Sequence, residues 1–416
     1  MNESKNLEFK ESVSNNFLKT VSAFANYGAG KILFGIRDDG SICGISDTVQ
    51  TCLDIENKIN DNIDPVPEYS LSINKKTSVI TLTVYEGTHK PYFYKSKAYR
   101  RNDTATIPAD RLELTRLILE GQNLTFEEIP SKNQDLSFHL LEERLKTILH
   151  LNTVDKDTLK TLELYRDDTG FNNAAGMLAD VNLFCGIDIV RFGDNINIIQ
   201  THNTFEHQSI LQQYDEAFEL YRQYYQYEQI NGSHRETVSQ IPEKAYREGI
   251  ANALVHRTWD LNAHINVAMF NDRIEITSPG GLPRGLSEEE YLRGGVSILR
   301  NRIIANIFYR LQMIEKFGTG IRRIIESYKD SAIKPTFLFT ENTIQITLPV
   351  MKTKNSLSGD ESIIYELLKG RIVSISEITE GSGFGRTKTK SILSKLILEG
   401  YIYTIGNGRG TKYSAE

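Results

Sequence analysis

The sequence predicts a multidomain α+β protein, and three observations carry the prediction. At 416 residues the chain is longer than one ordinary hydrophobic core organises. Helical-period apolar stripes and short alternating runs both occur along it. A polar stretch, Lys352 to Gly359, sets off a small C-terminal piece.

The first segment, residues 1–123, opens with a helical stripe over Phe17–Tyr27, through Phe17, Val21, Phe24 and Ala25. Gly28-Ala29-Gly30 ends that helix. Strands are expected at Lys31–Ile36, Ile42–Ile45 and Val79–Tyr85, with an Asp38-Asp39-Gly40 turn after the first. A helix at Arg111–Glu120 closes the unit. The second segment, 124–239, is rich in helix. Strands at Ile187–Phe192 and Asn195–Gln200 meet across Gly193-Asp194, and a tyrosine-rich helix runs from Ile210 to Ile230. Packing accounts for so many tyrosines better than chemistry does.

The third segment, 240–350, holds the most informative stretch, Arg247 to Arg257. Glu248, Asn252 and His256 are four residues apart, so they share one helix face, opposite Ala245, Ile250, Ala253 and Leu254. An amide oxygen such as that of Asn252 suits a hard cation like Mg2+. A glutamate one turn away suits orientation of a water for attack on a terminal phosphate. A hairpin follows: Ile265–Phe270, a turn at Asn271-Asp272, then Ile274–Ile276. Ser278-Pro279-Gly280-Gly281 lets backbone approach a ligand. Gly318-Thr319-Gly320 opens another helix, whose free amides suit phosphate oxygens.

After the linker 351–359, the last segment, 360–416, reads as three helices and a β-hairpin, the winged helix-turn-helix plan. Ile363, Ile364, Leu367 and Leu368 form the inward stripe of its first helix. Ile392, Leu393, Leu396 and Ile397 do so in the third. The start of that third helix carries Arg386, Lys388 and Lys390, where base edges and phosphates would be met. Arg409 and Lys412 on the wing suit backbone phosphates. The competing reading is a winged helix used for protein contact alone.

Composition is that of a soluble globular protein, 39% hydrophobic and 25% charged. No apolar run reaches membrane-crossing length and the N-terminus is polar, so a cytoplasmic protein without a membrane partner is expected. The net charge of −6 leaves nucleic-acid contact to local basic patches. Cys43, Cys52 and Cys185 are widely scattered, which argues against a disulfide framework and against a zinc site. His202, His207, His234 and His264 stand apart from any ligand pattern.

Two blocks resemble known families. The order from Glu248 to Gly320 resembles the GHKL nucleotide-binding fold, an α/β sandwich, in the branch found in bacterial regulators related to the RecG helicase. The resemblance implies ATP and Mg2+ as cofactors. It makes Glu248 the water-activating acid and Asn252 the magnesium ligand. Gly280 and Gly281 become the first glycine box, and Gly318 and Gly320 the second. His256, Asp272, Arg300 and Thr319 complete the expected nucleotide set. One departure stands out: the family's adenine-reading aspartate is replaced by Ser278-Pro279. GHKL relatives often dimerise, which implies a homo-oligomer.

The other block is Glu3–Glu11, Ala23–Gly30, Phe34–Gly40 with Gly44, and Tyr99–Thr104. It resembles the AlbA_2 domain shared with the Schlafen family. This resemblance implies nucleic-acid binding, with Lys10, Lys95, Lys97, Arg100 and Arg101 as phosphate contacts. It also implies an alternative, RNA cleavage by a metal held on Glu3, Glu8 and Asp38. The expected function is a nucleotide-responsive DNA-binding transcriptional regulator, acting on DNA rather than RNA. The alternatives are a metal-dependent endoribonuclease, such as antiphage defence would use, and a defence scaffold without catalysis.

Overall fold

A computed structural model describes residues 2–231, 234–283, 285–295, 298–314, 318–351, 357, 359–398, 401–406 and 410–415. The architecture is mixed α+β. The chain divides into two compact units, Met1–Phe126 and Glu127–Glu416.

The first unit is built on a four-stranded sheet in the order Leu7–Lys10, Gly30–Phe34, Val79–Val84, Tyr69–Asn74. The first pair is parallel and the others antiparallel. The helix Phe17–Tyr27 buries Phe17, Val21 and Phe24 against it, as its 3.6-residue stripe requires. Gly28 ends the helix at a φ of 138°, open to glycine and strained for other residues. Gly30 then lies against the Phe24 ring, where a β-carbon would come within 2.5 Å. The strand expected at 42–45 is only an isolated bridge, Ile36 to Ile42. An unexpected helix, Thr48–Asn62, buries just Ile55 and Ile59, too sparse a stripe to read from pattern.

The second unit centres on a six-stranded sheet. Its order is Ile199–Phe205, Ile187–Phe192, Ile265–Met269, Arg273–Pro279, Thr343–Pro349, Thr336–Phe339. The two strands from the middle segment thus extend the sheet of the third, and the boundary expected at 239 runs through one shared sheet. The strand expected at 195–200 begins at Ile199 and runs to Phe205. The tyrosine-rich helix stops at Tyr225, not Ile230, and the chain continues as a hairpin of Gln226–Asn231 and His234–Ser239. Its tyrosines pack: the Tyr221 and Tyr246 rings stack at 4.6 Å, and the Tyr225 hydroxyl donates to the Phe270 carbonyl at 2.6 Å.

The helix Glu243–His256 lies on this sheet with Ala245, Ile250, Ala253 and Leu254 buried, as expected. Gly249 permits the close approach, since a β-carbon there would sit 2.8 Å from the Ile276 side chain. Glu127 carries a carboxylate that accepts from the amides of Ile303 and Ile304 and closes the start of the helix Arg302–Arg310.

The C-terminal part has helices Gly359–Leu368, Ile375–Ser382 and Arg386–Leu398. A small sheet joins Val373–Ser374, Lys412–Ser414 and Tyr403–Ile405. Ile364, Tyr365, Leu368, Ile378, Leu393 and Leu396 form its core. Ile363 and Ile397, expected inward, are 46% and 38% exposed. Neighbouring helical residues point about 100° apart, so four residues in two adjacent pairs cannot all face one narrow core. Among the described residues no helix is long and apolar enough to cross a membrane.

Candidate functional site

The helix Glu243–His256 presents Glu248, Asn252 and His256 toward the start of the helix Gly320–Ser327. A β-carbon at Gly320 would lie 2.0 Å from the Glu248 Oε1 and 2.9 Å from the Asn252 Nδ2. A β-carbon there would push both side-chain ends aside, so the second glycine turn is seated on the acid and the amide. The carboxylate therefore lies where a helix N-terminus favours negative charge. Asn252 and His256 line a cavity with Tyr291, Gly318, Gly320 and Ile321. A second cavity shares Asn252, His256 and Tyr291 and reaches Ser278 and Ile346.

The first cavity gives water about 50 Å3 of accessible space, less than a nucleotide occupies. The donor set fits magnesium and phosphate chemistry: an amide and a helix start line one cleft, and a carboxylate lies against that helix start. Burial and then the Arg300 charge depress the His256 imidazole to about 4, so it is neutral near pH 7. Its Nδ1 is buried and has no hydrogen-bond partner among the described residues. Burial also pushes the Tyr291 phenol up to about 12, with Glu248 adding to the effect and Arg300 opposing it.

The first glycine pair has a different part. Gly280, at a φ of 105°, sits under Thr258 and Arg300, and a β-carbon would come within 2.1 Å of the Thr258 hydroxyl. Arg300 donates to the His256 carbonyl at 2.7 Å and to the Gly281 carbonyl at 2.8 Å. Asn301, buried, donates to the carbonyls of Val255 and Arg257. This Arg-Asn pair ties the end of the acid–amide helix to the glycine turn, so Arg300 braces the site. Thr319 precedes the helix, and its carbonyl accepts from the Arg323 amide. Ser278 donates its hydroxyl to the Ala253 carbonyl at 3.1 Å.

Asp272 is not brought to this site. It lies at the far end of the strand Arg273–Pro279 and pairs with Arg273 at 3.0 Å. Sequence reasoning missed Tyr291, Leu286 and Ile298, which line the cavity from irregular or short segments without periodic signal.

In the first unit the three acidic residues do not converge. Glu3 accepts from the Phe9 amide at 2.7 Å. Glu8 is buried, with Arg101 and the Thr20 hydroxyl on one oxygen and Lys10 on the other, at 2.6, 2.6 and 2.7 Å. Asp38 is exposed on its turn. Among the described residues these carboxylates form no cluster with ligand atoms within 4.8 Å of one another. Arg101, expected at a phosphate, is 7% exposed and lies in the core as the counterion of Glu8. Strand alternation explains it: Tyr99 and Arg101 share the inward face of Tyr99–Asn102. Arg100 pairs with Glu113 at 2.8 Å. Lys95 and Lys97 are exposed.

On the C-terminal helix Arg386 and Lys390 are exposed one turn apart. Lys388 pairs with Asp360 at 2.7 Å and lies over the Phe384 ring. Lys412 is exposed on its strand. Arg409 lies outside the described residues.

Residues 3–110 match the family model described as "Schlafen, AlbA_2". Residues 262–348 match the one described as "Putative ATP-dependent DNA helicase recG C-terminal", a HATPase model. The acid–amide helix and the C-terminal part lie outside both matches. No curated protein matches the chain. The crystal structure of the DIP2311 protein from Corynebacterium diphtheriae is 18% identical, covers 99% of this chain and 92% of that one, and has a TM-score of 0.49. The solution structure of the N-terminal domain of a RecG-related protein from Nitrosomonas europaea is 24% identical. It covers 26% of this chain and 83% of its own, with a TM-score of 0.20.

Proposed function

We propose that this chain, with its Schlafen AlbA_2 domain and its RecG-like HATPase domain, is a nucleotide-responsive DNA-binding regulator. The two domains support the coarser reading, an ATP-binding protein associated with nucleic acid. The observation that carries the nucleotide site is the seating of Gly320 on Glu248 and Asn252. The Asn252 amide oxygen would hold Mg2+, and the amides around Gly320 would take phosphate oxygens. Glu248, released from the helix start, would orient a water. Bound Mg2+ supplies charge neutralisation for the phosphates.

Nucleotide in this reading favours an arrangement in which the glycine turn stands away from Glu248, provided it binds that arrangement more tightly. In this reading the C-terminal part acts as a winged helix-turn-helix. Arg386, Lys390 and Lys412 would meet DNA phosphates. The ribonuclease alternative lacks a supporting observation, since Glu8 is saturated by Arg101, Lys10 and Thr20.

The test is incubation of the full chain with labelled ATP, with and without Mg2+, then with duplex DNA and with tRNA, scoring binding and cleavage separately. Magnesium-dependent retention of ATP and retention of DNA without RNA cleavage are the expected results. Metal-dependent tRNA cutting, or no retention of ATP at saturating concentration, would overturn the reading.

A further inference from the structure

A second cluster of chemistry-bearing side chains lies at one end of the six-stranded sheet. Cys185 precedes the strand Ile187–Phe192, Glu206 follows Ile199–Phe205, and His264 precedes Ile265–Met269. These three strands are neighbours. The register explains the meeting: Ile187 faces Phe205 on one side and Ile265 on the other. The residues just beyond those positions must therefore emerge together.

A thiol, a carboxylate and an imidazole do so, with ligand atoms all within 4.8 Å of one another. The His264 Nε2 lies 2.7 Å from the Glu206 Oε2, and the Cys185 thiol donates to the Asn262 Oδ1 at 2.9 Å. The backbone beneath is fixed. Arg257, 1% exposed, donates to the carbonyls of Cys185, Gly186 and Ala263. The cluster is thus held on a rigid base, yet each of its three side chains stays partly accessible.

We propose that Cys185, Glu206 and His264 form a binding site for a divalent cation of the zinc class. Sulfur, nitrogen and carboxylate oxygen are the ligand types such an ion takes, and three protein ligands leave a fourth position for water or Asn262. The thiolate and the carboxylate together cancel the charge of the ion, so the occupied site carries no net charge of its own. Binding releases the thiol proton to solvent, so affinity rises with pH. The site is independent of the nucleotide reading, since none of its residues lines that cleft.

The experiment uses the full chain stripped with chelator. Zn2+ is titrated against a chromogenic chelator, and Co2+ is followed by absorption. One equivalent of metal is expected, with a sulfur-to-cobalt charge-transfer band that Cys185→Ser abolishes and Cys43→Ser retains. His264→Gln and Glu206→Gln should weaken binding by about tenfold or more, the loss of one first-row ligand bond from a small set. Zn2+ should also slow alkylation of Cys185 in the unmodified chain while leaving Cys43 unaffected, a readout that needs no variant. Absence of stoichiometric binding, a cobalt band that survives Cys185→Ser, or alkylation of Cys185 indifferent to Zn2+ would overturn the proposal. The cluster would then be an ion pair of Glu206 and His264 beside a thiol.

Discussion

Glu8 and Glu248 are nearly equally buried, at 5% and 8% exposure, yet the fold treats them in opposite ways. Glu8 has a guanidinium, an ammonium and a hydroxyl on its two oxygens. Glu248 lies against Gly320, its Oε1 2.0 Å from where a β-carbon there would stand. Burial alone therefore does not fix what a carboxylate does. What surrounds it does. A carboxylate whose oxygens are all taken by cations is a structural bolt, and a new ligand must first break it. A carboxylate set against a glycine turn instead meets backbone that carries no side chain.

The comparison breaks most visibly if Glu8 is removed. Glu8→Ala leaves Arg101 buried without its counterion and should destabilise the first unit by about 3–5 kcal/mol, read by thermal or denaturant unfolding. Unchanged stability together with loss of a metal-dependent RNase activity would make Glu8 the catalytic acid instead.

The next effect concerns pH. The folded value of His256, about 4, lies below its ordinary 6.5, so the unfolded chain binds this proton more tightly. Its contribution to stability is present above pH 6.5 and is lost as pH falls toward 4, an amount on the order of 2–3 kcal/mol. Denaturation at pH 7 and pH 4.5 should show a smaller acid loss in His256→Gln than in the parent. An equal loss would mean that the imidazole is already charged or solvated.

Asn252→Ala sharpens the contrast with Glu8. Magnesium-dependent ATP affinity should fall by about tenfold, roughly 1.4 kcal/mol, while unfolding stays within about 1 kcal/mol of the parent. Calorimetric titration and a melt on the same sample separate the two. Smallest is the DNA contact. Arg386→Ala with Lys390→Ala should lower the slope of log affinity against log salt by roughly 1–2, and Lys388→Ala by less, because Asp360 already holds that ammonium. Equal slopes in all variants would remove the C-terminal helix from the interface.

Much of this was readable along the chain. The 3.6-residue period put Glu248, Asn252 and His256 on one face, and in the structure Glu248 and Asn252 meet Gly320 while Asn252 and His256 line the cavity. The hairpin after them also appears, as Ile265–Met269 paired with Arg273–Pro279. Other readings failed for identifiable reasons. Arg101 looked like a surface cation, but the alternation that buries Tyr99 buries Arg101 too. Asp272 was near the glycine pair in sequence, and an intervening strand carries it to the other end of the sheet. His264 and Cys185 looked solitary because they lie 79 positions apart, and no local pattern signals a meeting across strands.

By itself the sequence determined the periodic elements: the two-sided helix, the hairpin, the glycine turns and the basic start of the last long helix. Periodicity and turn chemistry act between residues a few positions apart, so they are written locally. Tertiary structure alone decided which charges are neutralised in the core, which acid meets a glycine turn, and which distant side chains converge. Those outcomes depend on strand order and register, and on the desolvation that burial imposes. Both are set by contacts between segments far apart in the chain.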